Sequence, residues 1–154
     1  MAQEIERKFL VKDSWQPQGA GEKIAQGYLS TVPERTVRVR LKGGKGYLTV
    51  KGKNQGICRA EFEYEIPPAD AEALLALAEQ PILSKIRYRE EHGGCIWEID
   101  VFAGENEGLV VAEIELPHVD SEFERPAWLG EEVSGDVRYY NASLIKRPYL
   151  LWKK

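Results

Sequence analysis

The sequence predicts a mainly β fold of the α+β class, a single domain over residues 1–154. Three observations predict it. Period-two alternation of apolar and polar residues recurs along the chain more often than helical spacing does. Turn signals such as Gly43-Gly44 and Gly93-Gly94 separate neighbouring alternating stretches. Finally, 154 residues with 43% hydrophobic and 30% charged side chains suit one core and exclude a disordered chain.

Taken in order, the first strand covers 4–11, with Glu4, Glu6 and Lys8 on one face and Ile5 and Phe9 on the other. A second over 24–31 carries Tyr28. The third, 36–42, sets Val37, Val39 and Leu41 against Arg38 and Arg40. After the glycine turn, 47–53 places Leu48 and Val50 opposite Thr49, Lys51 and Lys53. The stretch 58–66 opposes Phe62, Tyr64 and Ile66 to Arg59, Glu61, Glu63 and Glu65. Pro67-Pro68 ends it, and the spacing of Ala71, Leu74, Leu75 and Ala78 predicts a helix over 70–79. Three more strands follow: 84–90 with Lys85, Arg87 and Arg89 in phase, 96–102 with Glu98 and Asp100, and 109–116 with Glu113 and Glu115. Short helices are expected over 120–124 and 140–146.

Glu, Lys and Arg are poor strand formers, yet nearly every strand carries two of them at i and i+2, on one side of the sheet. Parity groups the cations Lys8, Arg38, Arg40, Lys51, Lys53, Lys85 and Arg87 with the carboxylates Glu4, Glu6, Glu61, Glu63, Glu98, Asp100, Glu113 and Glu115. A solvated sheet face could be polar for simpler reasons. The signs cluster by strand, however, and like charges at adjacent same-face positions repel. About eight strands suffice to close a barrel around one small ligand. Inside such a lumen the cations would bind phosphate oxygens, and paired carboxylates are hard ligands for Mg²⁺ or Mn²⁺.

Other classes are disfavoured. A net charge of −4 argues against a basic nucleic-acid surface. No apolar run approaches the roughly 20 residues of a membrane span, and the charged opening lacks a signal peptide's apolar stretch, so a cytoplasmic protein is expected. Cys58 and Cys95 have neither zinc spacing nor a disulfide framework, and both are expected as buried thiols. The Gly43–Gly46 run is not a P-loop. Apolar residues on the outer wall point to a homodimer without fixing the oligomeric state.

The opening Glu4-Ile5-Glu6-Arg7-Lys8 resembles the E-x-E-x-K signature of the CYTH domain, or triphosphate tunnel metalloenzyme, family. The similarity continues in order through Gln26-Gly27-Tyr28-Leu29, Arg38-Val39-Arg40, Leu48-Thr49-Val50-Lys51, Glu61-Phe62-Glu63 and Lys85-Ile86-Arg87-Tyr88. It extends to Glu98-Ile99-Asp100-Val101, Glu113-Ile114-Glu115 and the stretch from Glu131 to Asp136. The resemblance implies an eight-stranded antiparallel barrel forming a charged tunnel, with helices outside, that hydrolyses or cyclises triphosphates with Mg²⁺ or Mn²⁺. Carried over by position, Glu4, Glu6, Glu61, Glu63, Glu113 and Glu115 are the expected metal ligands. Lys8, Arg38, Arg40, Lys51, Lys85 and Arg87 are the expected phosphate binders. Tyr28 and Lys51, with Lys85, are the expected catalytic residues, and Lys53, Glu98 and Asp100 complete the lumen. Many relatives carry a basic residue directly after the Asp equivalent to Asp136; here Val137 stands there, and Arg138 becomes the candidate phosphate contact.

The leading expectation is metal-dependent hydrolysis of tripolyphosphate by in-line attack of water on a terminal phosphorus. The alternatives are a class IV-like adenylate cyclase acting on ATP, a thiamine triphosphatase, and a non-catalytic polyphosphate- or nucleotide-binding module.

Overall fold

The computed structural model describes residues 3–152. Nine strands and two helices appear in the order β1 (Gln3–Val11), β2 (Glu22–Ser30), β3 (Arg35–Lys42), β4 (Lys45–Gly52), β5 (Cys58–Ile66), α1 (Pro68–Leu77), β6 (Leu83–His92), β7 (Cys95–Phe102), β8 (Val110–Glu115), β9 (Leu129–Glu132) and α2 (Asn141–Lys146). The spatial order β5-β4-β3-β2-β6-β7-β8-β1, with β1 returning to β5, closes an eight-stranded barrel in which every pairing is antiparallel.

The closure is partial. Strand β1 pairs with β5 only through Gln3–Ile5, opposite Cys58, Arg59 and Ala60. Further along, the same edge of β1 is taken by β9, through Phe9 and Val11. Beyond Ala60, β5 therefore faces away from β1, and Phe62 (44% exposed) and Tyr64 (60%) lie open on its outer side. β9 escapes the alternation rule because it is four residues long and lies in a turn-rich stretch.

No helix forms at 120–124, which runs as irregular chain. Five residues are too few to sustain a helix in isolation, and Phe123 is drawn instead onto Phe9 and Trp97, edge-on at 6.0 and 5.6 Å. The cysteines are half-buried rather than buried.

Most of the apolar core lies between the barrel wall and what covers it. Phe9, Trp97, Ile99, Ala112 and Ile114 pack beneath Trp128 and Leu129. Helix α1 lies over Val39 through Ala71 and Leu75. It comes so close that a Cβ at Gly27 would sit 2.8 Å from that of Ala78, and one at Gly46 2.8 Å from that of Ala71. Leu144 and Ile145 of α2 pack against Tyr28, Leu83, Phe102 and Val111 at one end of the barrel. The lumen is polar: Glu4, Gln26, Thr36, Arg38, Arg40, Thr49, Lys85, Arg87, Asp100 and Glu113 are all buried. Among the described residues, no helix is long and apolar enough to cross a membrane.

Candidate active site

Strand parity brings the charged side chains together as the alternation predicts. Register places Glu6 opposite Glu115 and Lys8 opposite Glu113, Tyr28 opposite Arg38, and Lys51 opposite Glu61. A cavity of about 380 Å³ enters the barrel beside α2, lined by Glu4, Glu6, Lys8, Tyr28, Arg38, Lys51 and Glu113, with Lys53 exposed near its rim.

Three ion-pair groups organise the lumen. In the first, the Lys51 Nζ lies 3.0 Å from Glu4 and 3.3 Å from Glu61. Burial and Arg38 oppose the charge on Lys51, but Glu4, Glu6 and Glu61 outweigh them and raise its pKa. Burial raises Glu4 despite Lys51, whereas at Glu61 the Lys51 charge overcomes burial and lowers the pKa. In the second, the Thr49 hydroxyl donates to Glu63 at 2.7 Å and accepts from Arg38 at 3.2 Å.

The third group is deeper. Arg87 grips Asp100 with two bonds, 2.7 and 2.9 Å, and reaches Glu98 at 3.2 Å and Glu113 at 3.8 Å. Lys85 is 2% exposed and lies 2.8 Å from Asp100, off the direction of a good hydrogen bond. Burial lowers the Lys85 ammonium to about 7 in spite of Asp100. Burial likewise works against the Asp100 carboxylate, but Lys85 and Arg87 hold it at about 2. Beside them Arg40 donates to Gln26 at 2.9 Å, and burial together with Arg38 and Arg87 lowers its pKa to about 10.

Glu6 and Glu113 form a carboxyl pair. Burial and the Glu113 charge push Glu6 well up. At Glu113 burial is overcome by Lys8, by a hydrogen bond from Glu6 and by Arg87, so that it stays ionised. A pair that must share a proton to coexist is a natural cation ligand. The donor chemistry fits Mg²⁺ or Mn²⁺, which take carboxylate oxygens. Among the described residues no three acidic side chains converge as a ready chelate; the Lys51 ammonium stands between two of them as the cation.

Not every expected site residue lines the cavity. Arg138 does not line the cavity: it is bound to Asp136 at 2.7 Å and stacks over Tyr139 and Trp152 at 5.4 and 5.5 Å. Glu115 is exposed, and Glu63, with its side chain 43% exposed, sits where β5 leaves β1. The alternation rule does not reach Ser134, Tyr140 and Asn141, which form one cavity wall from an aperiodic segment. Lys8 ties that segment down by donating to the Tyr139 carbonyl at 3.0 Å. Gln26, Thr36 and Arg59 were within reach of sequence, since each shares the lumenal phase of its strand.

A family model described as the CYTH domain matches residues 2–149. An inorganic triphosphatase of Acetivibrio thermocellus is 48% identical over the full length of both chains. One of Nitrosomonas europaea is 36% identical over 92% of this chain and 95% of its own. A crystal structure of an inorganic triphosphatase superposes with a TM-score of 0.66 at 35% identity, covering 92% of this chain and 96% of that one. With a family model spanning nearly its whole length and relatives this similar end to end, the chain belongs to the CYTH domain family.

Proposed function

We propose that the chain is a metal-dependent triphosphatase whose substrate is inorganic tripolyphosphate. The observation that carries this reading is one cavity in which Lys8, Arg38 and Lys51 meet Glu4, Glu6 and Glu113. Cations alone would hold a polyanion without reacting, and carboxylates alone would repel it. The names of the full-length relatives support the same reading.

In this reading Lys8, Arg38 and Lys51 bind the phosphate oxygens and orient the chain, while Arg40, Lys85 and Arg87 add positive potential from the lumen's depth. Mg²⁺ or Mn²⁺, held by Glu4, Glu6 and Glu113 with Glu61, Glu63 and Glu115 nearby, would supply Lewis-acid neutralisation of the phosphoryl charge. Water attacks the terminal phosphorus in line, the bond to the bridging oxygen breaks, and orthophosphate and pyrophosphate leave. Arg38 and Lys51 stabilise charge gathering on the leaving oxygens. Tyr28, in register with Arg38, also lines the cavity and would face the same anion.

Phosphate release from tripolyphosphate, ATP and thiamine triphosphate, each with Mg²⁺, Mn²⁺ or EDTA, tests the proposal. Tripolyphosphate turning over fastest, with EDTA abolishing activity, is the expected result. Cyclic AMP formation from ATP at a comparable rate, or no phosphate release, overturns it.

A further inference from the structure

The cations of the cavity differ in what they already hold. Lys51 is engaged by Glu4 and Glu61, and Arg38 by Glu63. Arg59 also lines the cavity, and among the described residues no carboxylate lies within 4.0 Å of its guanidinium. Its register partner across the β1–β5 contact is Glu4, yet both Glu4 oxygens are bonded to Lys51, at 3.0 and 3.2 Å. Only neutral acceptors fix Arg59: the Gly52 carbonyl takes Nε at 2.9 Å and the Thr36 hydroxyl takes Nη2 at 3.3 Å.

This arrangement leaves the full positive charge available and freezes the fork. A guanidinium held through Nε and one Nη2 bond keeps its remaining N–H groups for a ligand, at little further cost in side-chain freedom. Thr36, near the start of β3, lines the cavity, as do Lys53 and Asn54, which follow Gly52 at the end of β4. Lys53 is exposed and makes no ion pair among the described residues, so it adds charge but no fixed geometry. Arg59, half-buried where its register partner Glu4 is buried, is a pre-oriented anion donor beside the exposed Lys53.

We propose that Arg59 binds the outermost phosphate of the substrate and selects a three-phosphate chain over a shorter one. This rests on the triphosphatase reading above. Orthophosphate and pyrophosphate would be held by the deeper cations alone and would not engage it.

The test is calorimetric binding of tripolyphosphate and of pyrophosphate to the full chain in EDTA, for wild type, Arg59→Gln and Arg59→Lys, with steady-state kinetics alongside. The glutamine amide can still donate to Gly52 or Thr36, so the rim survives without the charge. In Arg59→Gln, tripolyphosphate affinity is expected to fall about tenfold and pyrophosphate affinity to stay within twofold. KM should rise with kcat nearly unchanged, and Arg59→Lys should restore part of the loss. Equal affinities in wild type and Arg59→Gln, or equal losses for both ligands, overturn the assignment. A wild type that releases no phosphate from tripolyphosphate with Mg²⁺ or Mn²⁺ fails the underlying reading instead, and the Arg59 proposal with it.

Discussion

The Lys51 ammonium sits 3.0 and 3.2 Å from the two oxygens of Glu4, a lysine from β4 bridging to a carboxylate from β1 across the inside of the barrel. The pair is internally neutral, and each member must be drawn off by something else before the site can work: Lys51 by phosphate, Glu4 by a metal cation. Glu4→Gln keeps an acceptor for Lys51 but removes the anionic ligand. Tripolyphosphate hydrolysis in this variant should fall about 100-fold. Its thermal midpoint should change little, because Lys51 retains Glu61 at 3.3 Å. Phosphate-release kinetics beside a melting curve separate the two effects.

Asp100 contributes to the acid limb of stability. Its carboxyl is held at about 2 against an ordinary 3.8. Its charge therefore contributes stability that is fully present above the unfolded value and is lost as pH falls through about 2. Asp100→Asn should flatten the urea-unfolding free energy across that window. At neutral pH the variant removes the carboxylate paired with Lys85 and leaves Arg87 only Glu98 and Glu113, at a cost of about 3–5 kcal/mol. Urea titrations at a series of pH values check both.

The barrel and most of the lumen were legible because a side-chain period of two admits no compromise: shifting Arg38 and Arg40 by one residue would put Val37 and Val39 inside. Glu6, Lys8, Arg87 and Glu113 follow from the same rule. What was not legible depends on which elements meet. Glu61 and Glu63 share parity, but their exposure is set by where β5 parts from β1, a contact between residues more than 50 positions apart. The wall made by Ser134, Tyr140 and Asn141 has no period to read. Arg138 stands near the right sequence position, yet its guanidinium gains more from Asp136 and two aromatic faces than from the cavity.

Arg138 and Lys8 accordingly part company. Arg138→Ala should leave KM for tripolyphosphate within about twofold, since its guanidinium is held by Asp136 in solvent and does not line the cavity. Lys8 lines the cavity, faces Glu113 in register and holds the Tyr139 carbonyl. Lys8→Ala should raise KM about tenfold or more and loosen the segment carrying Tyr139. Steady-state kinetics on both variants, with amide hydrogen exchange over 134–143, report the contrast.

On the outer wall a single carboxylate organises three aromatic side chains. Glu90 accepts from the indole N–H of Trp15 at 2.6 Å and from that of Trp128 at 3.1 Å, and its Oε1 lies 3.1 Å from the His92 Nε2. These bonds fasten the segment after β1 and the approach to β9 onto β6. Neither indole has another acceptor among the described residues, so Glu90→Ala strands two donors in a partly buried setting, each worth about 1–3 kcal/mol. The variant should lose about 3 kcal/mol of stability and show altered tryptophan fluorescence. Glu90→Gln retains an acceptor oxygen and should lose roughly half as much. The cluster lies on β6's outer face, on the other side of the wall from Lys85 and Arg87, so kcat on tripolyphosphate should hold in both variants at a temperature where they remain folded. A fall in kcat with the fold intact would mean that strain in the outer wall reaches the lumen through β6.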